Sequence, residues 1–298
     1  MRLVTRGDLD GLTCALFITS CEKVDGIELI HPQEMTDRKF PVTGNDIIAN
    51  LPYHPACGKW FDNHLVTDEG LMPKKGFAGK YGNAPSAARI VYEYYAARDT
   101  RLKGYEPMLK EVDRFDAAQL TREDVTNPAG YILLGYTLDP RTGLGAFREY
   151  FALLLEALRT KPIEKILQMD EVAQRVSRIR ERDHEFRKLT KAHSKLHSNV
   201  VVTDFRGLAQ MPVGNRFLVY TLFPHANISV RLAWGPRREK VTVNVGWSIF
   251  NRTCKTNVGV LMSLYGGGGH RGAGSCMLPP ETADAQVRQM IDTLRNNG

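Results

Sequence analysis

The chain has 298 residues, of which 43% are hydrophobic and 24% are charged, and its formal net charge is +7 at pH 7. This composition lies in the range of globular proteins and excludes a disordered or fibrous chain, while the length predicts two domains. The positive charge favours anionic ligands such as nucleotides, oligonucleotides or polyphosphate, although much of the excess falls in residues 175–195, which a solvated helix face explains better than a nucleic-acid surface.

The first half of the chain alternates strand patterns with helix patterns. An apolar strand over residues 2–5 precedes a periodic helix over about 12–20. Further strands are predicted over 27–31, 46–50 and 59–62. A helix follows from Pro85 to about Ala97, with more helix through Leu158. This alternation predicts an α/β domain with a parallel sheet, over residues 1–160.

The second half of the chain changes character twice. Residues 161–197 are heavily charged and helical in pattern, which predicts a linker helix. Strands are then predicted over 199–203, 216–222, 228–233 and 240–245, and helices over 258–264 and 283–294. We expect a smaller α+β domain over residues 198–298.

The cysteines and the N-terminal segment bear on where the protein is found. The five cysteines are scattered and include no CxxC pair, so neither a disulfide framework nor a zinc-finger spacing is indicated. The first residues turn polar at once, without the apolar stretch of a signal peptide, and no apolar run reaches 18 residues. We therefore expect a cytoplasmic protein.

The segment from Arg6 to Gly11, with sequence RGDLDG, lies where the first predicted strand gives way to the first helix. In open α/β sheets, ligands bind at the carboxyl ends of the strands. Residues two apart on an extended backbone point the same way, so Asp8 and Asp10 could both bind a hard cation such as Mg²⁺ or Mn²⁺. The alternative is an N-capping turn, in which Asp10 only satisfies helix N–H groups.

Two further polar clusters follow along the chain. Asp62, Asn63 and His64 end the predicted strand over 59–62 and could bind metal or phosphate, or form a structural loop. About fifty residues later, Asp113 and Asp116 lie in a helix end or loop. Either of them could complete the site, or both could belong to a solvated charge run.

The most specific motif is YGGGGHRGAG, from Tyr265 to Gly274. Four successive glycines are costly to order, which predicts positive φ angles or a close backbone approach, although a flexible loop or a tight junction is the alternative. Their amides could bind an anion, and His270 and Arg271 add donors suited to phosphate oxygens. Arg252 follows an earlier predicted strand and could also contact phosphate, or lie in an exposed basic loop.

In this order and at these separations, the motifs resemble those of the DHH phosphoesterases, which include exopolyphosphatases, single-strand exonucleases, oligoribonucleases and nucleotide phosphatases. The resemblance covers most of the chain. It implies a metal-bearing α/β domain, a linker helix and a DHH-associated C-terminal domain, with the substrate held between the domains. It further implies a hydrolase that uses Mn²⁺ or Mg²⁺, one or two ions, on a nucleotide, short oligonucleotide or polyphosphate.

The resemblance also implies roles for particular residues. The implied metal ligands are Asp8, Asp10, Asp62, His64 and Asp116. The implied catalytic residues are Asp10, His64 and Arg6. The implied substrate-binding residues are Asn50, Asn63, Arg252, Gly267, Gly268, Gly269, His270 and Arg271.

Three residues depart from the family pattern. Arg6 stands where His or Asp is common, Asn50 where a bridging Asp is expected, and Asn63 where the triplet has its first His. A guanidinium does not bind metals and an amide supplies only a neutral oxygen, so a standard two-metal site is disfavoured. Arg6 could replace a missing cation by pairing with the scissile phosphate. The alternative function is a non-catalytic nucleotide- or nucleic-acid-binding module, and a homodimer is a further expectation.

Overall fold

The computed structural model describes residues 1–64, 72–73, 75–139 and 146–297. The chain divides into two compact units. The first contains Met1–Gln119 and Pro128–Arg178, and the second contains Leu120–Asn127 and Ile179–Gly298. A short segment from the middle of the chain therefore belongs to the second unit.

The first unit contains a five-stranded parallel sheet. Its strands are β1 (Arg2–Thr5), β2 (Gly26–Leu29), β3 (Asp46–Ala49), β4 (Lys59–Asp62) and β5 (Gly79–Tyr81). Their order across the sheet is β2-β1-β3-β4-β5. The helices are α1 (Leu9–Cys21), α2 (Pro32–Thr36), α3 (Ala87–Tyr95), α4 (Glu106–Asp116), α6 (Gly130–Thr137), α7 (Phe147–Thr160) and α8 (Ile163–Leu167). The predicted α/β fold with a parallel sheet is confirmed.

The parallel sheet is buried on both faces, as such sheets generally are. Successive strand residues point to opposite faces. Leu3, Ile47 and Phe61 pack on one side, where α1, α3, α4 and α7 supply the rest of the larger core. Val4, Ile48 and Trp60 pack on the other side, in a smaller cluster. Apolar packing on both faces leaves the polar residues that follow the strands at the carboxyl edge of the sheet.

The second unit contains a six-stranded mixed sheet. Its strands are β6 (Ser194–His197), β7 (Val200–Asp204), β8 (Ile228–Trp234), β9 (Val241–Trp247), β10 (Gly268–His270) and β11 (Ala273–Leu278), in the order β10-β11-β9-β8-β7-β6. The β7 and β8 strands pair in parallel and all other neighbours are antiparallel. The helices are α5 (Arg122–Thr126), α10 (Leu218–Leu222), α11 (Val258–Ser263) and α12 (Pro280–Asn296).

The second unit has its own core. Residues of α11 and α12, among them Met262 and Met290, pack on one face of the sheet against Val230, Val243 and Cys276. A smaller cluster that includes Val219 and Tyr220 of α10 lies against β7. Helix α9 (Asp170–Ala192) contains the boundary between the units, at residues 178 and 179. Among the helices that are described, none is both long and apolar enough to span a membrane.

Two predicted elements are wrong. The segment predicted as one linker helix over 161–197 forms α8, then α9, and ends in strand β6, because Ser194–His197 gains a full set of partners on β7. The segment 216–222, predicted as a strand, forms α10. Its apolar run is too short for periodicity to distinguish a strand from a buried helical turn.

Candidate active site

The polar residues predicted in the first unit lie at the carboxyl edge of its sheet. Arg6 and Asp8 follow β1, Asn50 follows β3 and His64 follows β4, and these three strands are neighbours. Two direct contacts join the first of them: Asn50 Nδ2 donates to Asp8 Oδ1 at 2.9 Å, and Arg6 Nε lies 3.0 Å from Asp8 Oδ2. The topology therefore gathers residues that are far apart in the sequence, as expected for a ligand site in an α/β sheet.

The expectation that Asp8 and Asp10 share one face of an extended segment is wrong, because α1 begins at Leu9. Asp8 is the N-cap of α1 and accepts from the Gly11 N–H at 2.9 Å. Asp10 lies in the first turn of α1, and its two oxygens accept from the N–H groups of Ala87 and Ala88 at 2.9 and 2.7 Å. Each carboxylate thus caps a different helix, α1 for Asp8 and α3 for Asp10.

The Asp10 carboxylate is buried and lies near other negatively charged carboxylates. Its side chain is 2% exposed. Burial, and next the charges of Asp116 and Asp8, raise the pKa of Asp10 well above its usual value, against the opposing effect of the two backbone N–H groups. A cation near this carboxylate would therefore relieve a real electrostatic cost.

Asn50 is buried and held in a strained backbone conformation. It is 1% exposed, and its φ of 57° lies in the left-handed region, which asparagine tolerates better than most residues. Its side-chain N–H₂ donates to Asp8, whereas an aspartate here would bring a second carboxylate against the first. Its Oδ1 is buried and has no hydrogen-bond partner among the described residues.

His64 and Asp62 form a hydrogen-bonded pair at the end of β4. Asp62 is buried, His64 is about half exposed, and His64 Nδ1 lies 2.8 Å from Asp62 Oδ1. This hydrogen bond raises the pKa of His64, although partial burial opposes it. Because Nδ1 carries the proton shared with Asp62, Nε2 is the ring nitrogen left for a ligand.

Asn63 points back into the protein and not toward a ligand. Its Nδ2 donates to the Ala84 carbonyl at 3.0 Å, and its buried Oδ1 has no hydrogen-bond partner among the described residues. The residue therefore ties the end of β4 to the segment before α3.

Asp113 and Asp116 have different surroundings, although both lie in the last turn of α4. Asp113 accepts from Ser86 Oγ at 2.6 Å and from Arg89 Nη2 at 2.5 Å, which makes it part of a structural ion pair. Asp116 is exposed as a residue, yet desolvation of its carboxyl and the neighbouring Asp8 charge raise the pKa of Asp116 to about 6. Asp116 is therefore the one that belongs electrostatically with Asp8 and Asp10.

The tetraglycine motif of the second unit forms a hairpin, not a loop: β10 and β11 pair antiparallel, with His270 opposite Ala273. A Cβ on Gly267 would lie 2.1 Å from the Ser275 carbonyl oxygen. Gly269 has a φ of 154°, and a Cβ there would lie 2.3 Å from the Ala273 carbonyl oxygen. These two glycines are required by the close approach of the strands, which is one of the two reasons, with positive φ, that the glycine run predicted.

Gly268 differs from its neighbours. Its φ is not positive, and a Cβ built on it meets no atom of the described residues within 4 Å. The hairpin therefore gives no reason for a glycine at this position. A ligand that approaches the backbone would give one.

The charged groups near the hairpin are exposed. His270 Nδ1 accepts from the Gly272 N–H at 3.1 Å, and the Arg271 guanidinium lies over the Trp247 ring at 5.8 Å. Arg252 is exposed in a turn and donates from Nε to the Ile249 carbonyl at 3.1 Å. All three residues are exposed at the surface of the second unit.

Comparison with known proteins separates close from remote similarity. No protein-family model and no curated protein sequence matches the chain. A solved structure of a pGpG-specific phosphodiesterase, PggH from Vibrio cholerae, is 36% identical with a TM-score of 0.83, and the match covers 100% of this chain and 99% of that one. The chain belongs to the DHH phosphoesterase superfamily. It is accordingly a hydrolase of the phosphoesterase class.

Two remote matches share the fold of this DHH phosphoesterase. The DHH domain of a member of the S1p family of ribosomal proteins is 13% identical with a TM-score of 0.60, over 97% of this chain and 86% of that one. RecJ from Thermus thermophilus, in complex with Mn²⁺, is 11% identical with a TM-score of 0.54, over 99% of this chain and 52% of that one. At these identities the similarity concerns architecture alone.

The donor groups of this DHH phosphoesterase fit a divalent cation in their chemistry. Burial, together with neighbouring carboxylate charges, raises the pKa of Asp10 and of Asp116, and carboxylate and imidazole groups are ligands for Mn²⁺. Asp8 is already engaged by Arg6, Asn50 and the Gly11 N–H. In the described parts of the chain, no three His, Cys, Asp or Glu side chains form a ready-made metal site.

The sequence interpretation missed the residues that hold the carboxylates in place. Arg89 and Ser86 fix Asp113, and the first N–H groups of α3 fix Asp10. The Pro85-Ser86 pair before α3 was a usable signal, because serine is a common N-cap and here accepts from the Arg89 N–H. The sequence alone did not show which side chain accepts hydrogen bonds from the first N–H groups of α3.

Proposed function

We propose that this protein is a metal-dependent phosphodiesterase that hydrolyses short linear nucleotides, with the guanine dinucleotide pGpG as its substrate. The observation that carries the proposal is the 36% identity over the whole chain with a pGpG-specific phosphodiesterase. Hydrolysis of the single phosphodiester bond of pGpG yields two molecules of GMP.

The metal ion would be held at the carboxyl edge of the parallel sheet. Asp10, Asp62, His64 and Asp116 are the proposed ligands, with Asp8 beside them. When bound, the ion would supply Lewis-acid stabilisation of the negative charge that develops on the phosphoryl oxygens. Support comes from the raised pKa values of Asp10 and Asp116, which an adjacent cation would lower again.

Other groups of the first unit would act on the phosphate and on protons. His64 holds a proton on Nδ1 against Asp62, so its Nε2 is the atom that would bind a ligand or exchange a proton with the leaving oxygen. Arg6 is 43% exposed and is anchored through Nε on Asp8, so the guanidinium is oriented to donate to a phosphate oxygen. Asn50 keeps Asp8 in position by donating to it.

The second unit would bind a substrate phosphate through the backbone at Gly268 and through His270, Arg271 and Arg252. The exposed donors and the absence of a structural need for glycine at 268 support this assignment. Gly267 and Gly269 would contribute by shaping the hairpin.

The proposal is tested by incubating purified protein with pGpG, pApA, a five-nucleotide RNA and polyphosphate, in Mn²⁺ and separately in EDTA, and separating the products by chromatography. We expect GMP from pGpG in Mn²⁺, little or no product in EDTA, and no phosphate from polyphosphate. Absence of nucleotide products with every nucleotide substrate in Mn²⁺ would reject the proposal.

The non-catalytic alternative makes a different prediction in the same assay. Arg6, Asn50 and Asn63, at positions where the family pattern has metal ligands, are the observations that favour it. A binding module would hold pGpG tightly in EDTA and leave it intact in Mn²⁺. Sedimentation of the same sample would test the expected homodimer.

A further inference from the structure

One face of the second unit's sheet is polar where the other is packed. On β8, β9 and β11, Val230, Val243 and Cys276 point into the core. The alternate residues Arg231, Asn244 and Ser275 therefore point to the opposite face. They are also direct neighbours across the strands, since Arg231 pairs with Asn244 and Asn244 pairs with Ser275. The result is a polar row across three strands.

Two glycines border this row on the same face. Gly246 follows Asn244 by two residues on β9, and Gly268 pairs with Ser275 on β10. Neither has a positive φ. Within the described part of the chain, a Cβ on Gly246 would have only the Tyr220 hydroxyl within 4 Å, at an ordinary 3.6 Å, and one on Gly268 would meet nothing. The fold of the unit therefore requires neither glycine.

The glycines on the packed side behave differently. A Cβ on Gly274 would lie 2.7 Å from the Gly268 carbonyl oxygen, and one on Gly259 would lie 2.6 Å from the Gly269 carbonyl oxygen. Close packing thus explains these glycines. The two on the polar face leave bare backbone beside polar side chains, which we term the Gly246–Gly268 shelf.

Two side chains beside the shelf, Asn244 and Ser275, have hydrogen-bonding capacity to spare. Asn244 is half-buried and Ser275 is exposed, and neither side chain makes a hydrogen bond to the described residues. Tyr220 donates to the Gly246 carbonyl oxygen at 2.6 Å and so closes the surface at one end. An amide, a hydroxyl and a guanidinium therefore border a patch without side chains.

We propose that this shelf binds a guanine base of the substrate, a proposal that rests on the function proposed above and adds its base specificity. Bare backbone at Gly246 lets a flat ring lie close to the sheet, beside the phosphate contact proposed at Gly268, and Asn244 offers one acceptor and two donors to the edge of the ring. Arg231 carries paired donors that match the O6 and N7 acceptors of guanine. Adenine has an amino group in place of O6, so its N–H donors would face the N–H donors of Arg231.

The shelf is tested by calorimetric binding of GMP and of AMP in EDTA to the full chain and to Asn244→Ala, Ser275→Ala and Gly246→Ala. We expect wild type to prefer GMP, and each variant to bind GMP about tenfold more weakly, as one lost hydrogen bond or one added methyl group would cause. Thr242→Ala is the matched control, because Thr242 lies on the same strand and face next to the exposed Met277. It should bind GMP as wild type does.

Two results would overturn the shelf as a guanine site. One is GMP affinity unchanged in all three variants that melt at the wild-type temperature. The other is an equal affinity of wild type for GMP and AMP. Either result leaves pGpG hydrolysis by wild type to be judged separately, and a wild type that binds GMP on the shelf without cleaving pGpG would reject the proposed function alone.

Discussion

Mutual repulsion among carboxylates is the main residue-scale property of the first unit's site. Asp8, Asp10 and Asp116 come from two segments about a hundred residues apart, and burial together with the neighbouring carboxylate charges raises the pKa of Asp10 and of Asp116. Such an arrangement costs folding free energy that a site without a ligand function would not need to carry. The cost is measurable in protein freed of metal.

We predict that Asp116 makes the metal-free protein less stable as the pH rises. Its pKa in the folded protein is about 6 against an ordinary value of 3.8, so the protonated carboxyl favours the folded state below pH 4 and that contribution is lost as the pH rises through 6. Between pH 4 and 7, the unfolding free energy of wild type should fall relative to Asp116→Asn by on the order of 1 kcal/mol, since solvent screens this exposed residue. Urea unfolding in EDTA measures it, and a difference that does not vary with pH would contradict it.

Asp113 should matter for stability and not for a ligand. The Asp113 and Arg89 side chains are only 13% and 17% exposed, so Asp113→Asn leaves a largely buried guanidinium with Glu106 as its remaining carboxylate partner. We expect a loss of about 2 kcal/mol in the free energy of unfolding. The control is Glu111→Gln on the same helix, whose pair with Arg114 is more exposed, at 35% and 31%, and should be worth about 0.5 kcal/mol. Equal losses of unfolding free energy in the two variants would show that burial does not make the Asp113–Arg89 pair more stabilising than the Glu111–Arg114 pair.

At the scale of elements, the β10–β11 hairpin separates glycines that the fold needs from one that it does not. Gly267→Ala should lower the unfolding free energy by about 2 kcal/mol, because its Cβ would collide with the Ser275 carbonyl oxygen. Gly268→Ala should leave the melting temperature unchanged and weaken substrate binding. Thermal melts and the KM for pGpG measure both, and a stable Gly268→Ala protein with wild-type KM would remove the backbone at 268 from the phosphate site.

The sequence predicted the elements whose patterns are local. The strands over 2–5 and 59–62 were placed at their observed bounds, because buried parallel strands are short apolar runs with polar residues at their ends. The segment 216–222 was misassigned, since α10 is defined by packing on the sheet and not by its own periodicity. The glycine run predicted positive φ angles or a close backbone approach. It did not predict that residues 268–270 pair as a strand with β11.

For the candidate site, the sequence indicated which residues to consider better than it indicated how those residues are held in place. The rule that ligands bind at the carboxyl ends of strands pointed to Asp8 and Asp62, which the structure places at that edge of the sheet, whereas Asp116 was singled out only from the family resemblance. The partners of Asp10 and Asp113 were not predictable, because they belong to α3, some 75 residues from Asp10 along the chain and set against it only by the fold.

For the molecule as a whole, the division into two units places the segment Leu120–Asn127 in the second unit, although the residues on either side of it along the chain belong to the first. Val125 is 2% exposed, and the Arg122 guanidinium lies 4.9 Å from the Phe250 ring centroid, within the second unit. We predict that Val125→Ala lowers the free energy of unfolding by about 2 kcal/mol. It should also lower hydrogen-exchange protection in the second unit, at β7 and α10. The control, Val112→Ala in α4, should lower protection in the first unit. Protection lost at β1 and β3 in Val125→Ala would contradict the division.

The most direct test of the account is the turnover number for pGpG in Mn²⁺ of Asp116→Asn beside that of Asp113→Asn, two neighbouring aspartates of one helix turn. If the carboxyl edge of the parallel sheet is the catalytic centre, Asp116→Asn should lose at least about 100-fold in kcat. At a temperature where it is folded, Asp113→Asn should keep most of its activity. A wild-type rate in Asp116→Asn would contradict the account.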